Sequence, residues 1–253
     1  MIRKILNSKP AERARRFLGK NTGVYLKLKK FTASTSDELR TVKLLELMNI
    51  DCVIDVGANS GQFAESLYDF GYKHKVISFE PVERVYEQLE KQAAKYPQWT
   101  VAERCAIGDV DGEATLHVSD ATVFSSLLKI KNSHVENKHK SRIVREEKVK
   151  TWRLDTILGK YLDNPANHRI VIKIDTQGFE KQVLDGAEEL LKSVIGLKIE
   201  IPLTPIYEDV AFTFYEIIDY MKTNGYEPYS FNNEGVNLET GRLNTIDGLF
   251  FKV

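Results

Sequence analysis

The chain has 253 residues, which at about 100–200 residues per domain admits one domain with an extension. Hydrophobic residues make up 42% and charged residues 28%, an ordinary globular balance that excludes collagen-like, low-complexity and disulfide-scaffold chains. Lys and Arg number 36 and Asp and Glu 36, so no global electrostatic footprint for nucleic acid exists and none is expected as a partner.

Cys52 and Cys105 lie in apolar-rich stretches and fit buried thiols in a reducing compartment. The first thirty residues lack the continuous apolar core of an export signal, and nothing later reaches the roughly 18 apolar residues of a membrane span. A cytoplasmic location is the expectation. Residues 1–30 carry ten basic side chains against Glu12 alone, and Ile5, Ala14, Phe17 and Leu18 give them some helical spacing. This points to a basic helical extension over 1–48, ahead of a domain over 49–253. A peripheral contact with an anionic membrane surface would suit residues 1–30; the thin apolar stripe favours a solvated helix at the domain edge.

In chain order, a helix over 37–48 leads into a short buried strand at 51–56 and a turn at Gly57-Ala-Asn-Ser-Gly61. Phe63, Ala64, Leu67 and Phe70 then recur at helical spacing up to Gly71. Residues 75–79 form a second strand, Val85, Leu89 and Ala93 mark the next helix, and 99–103 and 114–118 are further strands. Residues 119–150 read as a long polar connection, an insertion and candidate lid; from Lys129 to Lys150 eight basic residues face three acidic ones. Long connections of this kind inside a compact domain are functional or disordered. Alternation resumes with the apolar strand 169–175, a helix striped by Phe179, Val183, Ala187 and Leu190, a strand at 195–201, and a helix striped by Phe214, Ile217, Ile218 and Met221. The last strands, 226–231 and 246–253, have no helix between them, so an antiparallel pair is expected. Strands alternating with helices predict an α/β fold with a mostly parallel sheet and helices on both faces.

Three motifs carry chemistry. Asp55-Val-Gly-Ala-Asn-Ser-Gly61 is a strand-to-helix turn whose glycines admit close backbone approach and whose free N–H groups would attract a carboxylate. Its spacing is neither the dinucleotide G-x-G-x-x-G nor a P-loop, and Asp55 would repel a phosphate while suiting a ligand that carries an amine. Glu80 follows Gly57 by 23 residues, at a strand end where a carboxylate accepts both hydroxyls of a ribose. Lys173-Ile-Asp-Thr-Gln-Gly-Phe-Glu180 ends the clearest buried strand in two acids, and Glu200 closes the next strand before Pro202. Asp55 and Asp175 would share the ligand-binding edge if their strands are neighbours. Glu180 reads equally well as a helix N-terminal acid.

Together these motifs resemble the FkbM-type family of S-adenosylmethionine-dependent methyltransferases. The resemblance runs through VIDVGANSGQFA, SFEPV, AIGDVDGEATLHV, the SSL at Ser125–Leu127, LDTIL, IKIDTQGFEKQVLDGA, IEIPLTPIYE and the terminal DGLFF, covering roughly residues 50 to 253. It implies a Rossmann-like, seven-stranded class I methyltransferase sheet with one antiparallel strand. It also implies in-line methyl transfer to a hydroxyl of a sugar, glycan or natural product. Asp55, Gly57, Asn59, Ser60, Gly61 and Gln62 would line the methionine end of S-adenosylmethionine, Glu80 and Pro81 the ribose, and Cys105 and Ala106 the adenine. Asp175, Gln177 and Glu180 would face the transferring methyl group, with Ser125 and Ser126 near the acceptor. Gln177 stands where many relatives have Glu, and Cys105 where Asn is common.

A hydroxyl acceptor must lose a proton. Asp175 is the first choice of base, followed by Glu180, Glu200 and His117. No metal is expected, because neither a dense acid cluster nor a Cys/His ligand spacing is present. The positive run after Ser125-Ser126 suggests an anionic acceptor under a lid. The competing readings are a nicotinamide-dependent oxidoreductase, which shares the glycine turn and Glu80 but lacks the glycine spacing, and a non-catalytic nucleoside-binding module.

Overall fold

A seven-stranded sheet in the order β3-β2-β1-β7-β8-β10-β9 organises the protein. A computed structural model describes residue 17 and residues 20–22, 31–131 and 141–252. The membrane-contact reading of residues 1–30 falls outside these apart from four positions, and so does the middle of the expected lid. The chain divides into two units, Met1–Arg40 and Thr41–Val253. Among the described residues no helix is long and apolar enough to cross a membrane.

Helix α1 (Asp37–Leu47) precedes β1 (Cys52–Val56), α2 (Gln62–Asp69), β2 (Lys75–Phe79), α3 (Glu83–Ala93) and β3 (Trp99–Val101). After β4 (Ala106–Ile107), β5 (Gly112–Ser119) and β6 (Ile143–Trp152), the short α4 (Leu154–Ile157) leads to β7 (Ile170–Ile174) and α5 (Glu180–Asp185). The remaining elements are β8 (Val194–Pro202), α6 (Phe214–Thr223), β9 (Tyr226–Val236) and β10 (Leu243–Lys252). β1 and β7 are buried throughout, as central strands of a parallel sheet covered on both faces must be. β10 runs antiparallel to both β8 and β9. The expected antiparallel pair is therefore present, and β10 inserts between its two neighbours as the sheet's one reversed strand.

Period-two alternation splits the core into two layers. Cys52, Ile54, Val56, Ile170, Ile172 and Ile174 face one side, while Val53 and Val171 face the other with α1 and α2. Asp55 and Lys173 fall in the second register. Asp55 pairs with Ser78 on β2 and Lys173 on β7, and Lys173 pairs with Lys198 on β8. The sheet thus turns polar along one row near its C-terminal edge.

Residues 119–150 are not simply an irregular connection. β6 pairs antiparallel with β5 and parallel with β4 in a separate three-stranded sheet. Of its ten residues only Val149 and Thr151 are buried, so its composition hides it as a strand. Its charges are largely spent there: Arg145 pairs with Glu147 at 2.6 Å, Arg104 with Glu147 at 3.1 Å, and Lys148 donates to Thr115 at 2.8 Å.

Candidate active site

The loops after β1, β7 and β8 meet at the C-terminal edge of the sheet, where open α/β sheets bind ligands. Gly57 and Gly61 take left-handed conformations with φ of 74° and 91°. A Cβ on Gly57 would lie 2.0 Å from the Asp175 carbonyl oxygen, and one on Gly61 would lie 2.5 Å from the Trp99 ring. These glycines let the loop pack against β7 and β3, rather than opening space for a ligand.

The loop amides are also engaged. Gly57 and Ala58 donate to the Phe79 carbonyl at 3.0 Å, and Gly61 donates to the Ala58 carbonyl at 2.9 Å. Asn59 N–H donates to Glu80 Oε2 and Ser60 N–H to Asn59 Oδ1, both at 2.8 Å. The amides of residues 57–61 are thus used inside the loop, while α2 begins at Gln62 without a side-chain cap. Ser60 is half-buried and Gln62 is exposed at the start of α2.

Glu80 closes β2 and is buried. Its Oε1 accepts from Val82 N–H at 2.8 Å, so each oxygen holds one backbone donor and keeps further acceptor capacity. Burial pushes its carboxyl up to about 7, against the pull of the Val82 and Asn59 amides. Pro81 is half-buried, and its carbonyl accepts from Arg104 at 3.1 Å. Cys105 is buried within the core layer that holds Phe79 and Leu154, and burial raises its thiol to about 12. Its side chain is packing material of that layer.

At the centre, Asp55 is 0% and Lys173 6% exposed. Lys173 Nζ lies 3.1 Å from Asp55 Oδ1 and 3.4 Å from Asp175 Oδ2, and it donates to the Gly57 carbonyl at 2.8 Å. Ser78 Oγ donates to Asp55 Oδ2 at 3.3 Å and accepts from Trp99 Nε1 at 2.9 Å. Asp55 is thus an internal counter-ion with no face left for a ligand amine. Burial alone would depress the Lys173 ammonium, but the Asp55 and Asp175 carboxylates outweigh it and hold it above its ordinary range.

Asp175 has a side chain 40% exposed and is the open carboxylate of the cluster. Burial works against its ionisation, yet Lys173 and the hydrogen bond from Gln177 hold it below the usual carboxylate range. Gln177 sits in the left-handed region at φ 57°. Its Nε2 donates to Asp175 Oδ1 and to Glu200 Oε2, each at 2.8 Å, and its Oε1 accepts from the Tyr207 hydroxyl at 2.9 Å. Such sparsely populated backbone persists only where the surroundings over-determine it. Burial, then the Asp175 and Glu180 carboxylates, raise the Glu200 carboxyl well above its ordinary value.

Glu180 is 1% exposed, and its Oε1 accepts from Thr176 N–H at 3.1 Å and Gly178 N–H at 3.0 Å. It braces the 176–178 turn from inside, while Ser126 ties it from outside by donating to the Gln177 carbonyl at 2.8 Å. Ser125 Oγ accepts from Ser119 N–H at 3.1 Å. Both serine hydroxyls therefore serve the loop. His117 lies in the second sheet, 3.1 Å from Glu146.

The structure brings Asp55, Gly57, Asp175, Gln177 and Glu200 together, with Glu80 beside the first loop. Lys173 and Tyr207 complete the cluster although both stand unassigned inside the quoted motifs. Lys173 was findable from its place two residues before Asp175 on a buried strand, where a lysine needs counter-charges. Among the described residues no group of three or more His, Cys, Asp or Glu is arranged to hold a metal ion. Asp175, the open carboxylate of this cluster, suits a ligand bearing hydroxyls and positive charge.

The profile of the methyltransferase FkbM domain matches residues 55–228, which contain every residue of this cluster. Among curated proteins none matches the chain in sequence. Solved structures that align include the magnesium protoporphyrin IX methyltransferase of Synechocystis PCC 6803, at 10% identity and TM-score 0.43 over 100% of this chain and 95% of that one. The precorrin-6y C5,15-methyltransferase of Geobacter metallireducens aligns at 12% identity and TM-score 0.43, over 90% and 93%. An rRNA methylase of Streptococcus thermophilus aligns at 12% and 0.43, over 85% and 95%. The chain belongs to the FkbM methyltransferase family and is an S-adenosylmethionine-dependent methyltransferase with a class I sheet.

Proposed function

We propose that the protein transfers the methyl group to a hydroxyl oxygen of a small-molecule or glycan acceptor, with Glu200 taking the hydroxyl proton beside Asp175. One observation carries this reading. A single amide, Gln177 Nε2, holds Asp175 Oδ1 and Glu200 Oε2 at 2.8 Å each, so two carboxylates of opposite proton affinity share one mouth. Environments that push neighbouring carboxyls apart assign their roles. Asp175, held low by Lys173, is a weak base; Glu200, raised by burial and its acidic neighbours, is the better proton acceptor. This reverses the order in which the sequence ranks the two.

The residues present fit the cofactor. When bound, it supplies a methyl group already activated on a sulfonium, so the protein's task is proximity and alignment. Glu80 retains acceptor capacity for a ribose diol, and the exposed face of Asp175 offers a fixed negative charge to cationic groups. Asn59, Gly61 and Pro81 would shape the wall between them, and Ala106 with the Cys105 backbone would flank the adenine.

The test is Glu200→Gln, assayed by methyl transfer to a panel of hydroxylated acceptors. Turnover should fall by about 10²–10⁴-fold with S-adenosylmethionine affinity within about twofold of the parent. Full turnover in the variant would remove Glu200 as the base.

A further inference from the structure

β6 spends one carboxylate away from its own sheet. Glu147 has a side chain only 11% exposed, and its two oxygens serve different partners. Oε1 is held by Arg145, whose Nε and Nη2 donate at 2.8 and 2.6 Å. Oε2 accepts from Arg104 Nη1 at 3.1 Å and from the Glu83 N–H at 3.2 Å. The same Arg104 nitrogen donates to the Pro81 carbonyl at 3.1 Å. An ion pair between near neighbours on one exposed strand contributes little by itself. Here Arg145 fixes the direction of a carboxylate whose other oxygen reaches a backbone amide 64 residues away along the chain. Glu83 opens α3, and Val82 before it offers no side-chain cap. Glu147 therefore provides, from β6, the acceptor a capping side chain would give, at a helix end that favours negative charge. Arg104 directly precedes Cys105 and Ala106, so one carboxylate oxygen joins residues 80–83 to residues 104–106.

We infer that Glu147 is a positioning residue for the adenosine end of S-adenosylmethionine, setting residues 80–83 so that the Glu80 carboxylate is aimed at the ribose diol. The inference rests on the reading of Glu80 as the ribose acceptor and adds the group that aims it. Glu80 Oε1 accepts from the Val82 N–H and Oε2 from the Asn59 N–H, both at 2.8 Å, so its orientation follows the backbone of 81–83. That backbone is held from outside by two bonds, Arg104 to the Pro81 carbonyl and the Glu83 N–H to Glu147. Removing the Glu147 carboxylate takes the acceptor from Glu83 and the counter-charge from Arg104 together. Hydrogen bonds weaken steeply once their angles are lost, and a site shifted by about 1 Å loses much of its effect. This gives β6 a task at the cofactor end of the site, whereas its charges alone suggest a lid over the acceptor.

The experiment is a double-mutant cycle on the full chain, read by calorimetric titration with S-adenosylhomocysteine. Glu147→Ala should weaken binding about tenfold. In a Glu80→Ala background the same change should cost about twofold or less, because a carboxylate that is gone can no longer be aimed. Glu147→Gln keeps one carbonyl oxygen for Arg104 and the Glu83 N–H and should bind within about threefold of the parent. A merely stabilising contact would lower the melting temperature and leave the cycle additive. Arg104→Met breaks the same linkage and should give the same loss and the same cancellation, which keeps the test available if Glu147→Ala does not fold. Wild-type affinity in Glu147→Ala or Arg104→Met, or equal losses with and without the Glu80 carboxyl, overturns the inference. The two readings fail separately. Additive losses with binding that still depends on Glu80 remove Glu147 alone, whereas binding indifferent to Glu80→Ala removes the ribose reading and the inference with it.

Discussion

Lys173 lies directly across the β1–β7 pair from Asp55, with its Nζ 3.1 Å from Oδ1 and both side chains withdrawn from solvent. The same ammonium reaches the Gly57 carbonyl and Asp175. One buried cation therefore joins the first loop to the open carboxylate of the site. Two buried charges cost desolvation that only good geometry and further hydrogen bonds repay. Here Ser78 and the Gly57 carbonyl supply those bonds.

Lys173→Met should accordingly leave Asp55 buried and unpaired. The expected loss is about 3–5 kcal/mol of stability, read from denaturant unfolding. Adding Asp55→Leu to Lys173→Met should recover part of that loss, because removing both charges is less costly than stranding one. A single variant as stable as the parent would contradict the pairing.

Gln177→Asn isolates the bridge between the two carboxylates. Asn tolerates the left-handed backbone at φ 57° better than most residues, but its shorter side chain cannot span Asp175 and Glu200. The turnover number should fall roughly tenfold or more through misalignment, with cofactor affinity and melting temperature nearly unchanged. Equal falls in turnover and cofactor affinity would show that the residue serves cofactor binding instead.

Glu180 makes stability depend on pH. Burial raises its carboxyl from 4.5 to about 7, so between those values the folded protein binds a proton that the unfolded chain releases. Its contribution to stability is present below about pH 4.5 and is lost as pH rises through 7. At ~1.4 kcal/mol for each pH unit between the ordinary and raised values, the loss is about 3 kcal/mol. Glu80 is raised in the same direction. Unfolding by denaturant at pH 5 and pH 8 should show the wild type weaker at pH 8, and Glu180→Gln should flatten that difference. An unchanged pH difference in the variant would contradict the assignment.

The strands that build the edge of the sheet were legible because burial on both faces writes itself as apolar runs, as in β1 and β7. The helices α2 and α3 were legible from their stripes, Ala64 and Leu67 in the first and Val85, Leu89 and Ala93 in the second. β6 was not, because a strand exposed along most of its length carries charges at positions that alternation assigns to neither face. The reach of Lys173 depended on the register between β1 and β7, which the sequence pattern does not set. The internal use of the loop amides at 57–61 and the tie of Tyr207 to Gln177 depended on tertiary packing of loops. Gln177 was visible as a departure from the family pattern, but its bridging geometry required the turn at 176–178 and the end of β8 to be brought together.

The most direct measurement is a calorimetric titration of the protein with S-adenosylmethionine, S-adenosylhomocysteine and NADH, repeated on Glu80→Ala. The account predicts micromolar binding of the first two, no binding of NADH, and at least a tenfold loss for the first two in the variant, since a ribose diol would lose its charged acceptor. Binding of NADH in their place, or cofactor binding that is indifferent to Glu80, would contradict it.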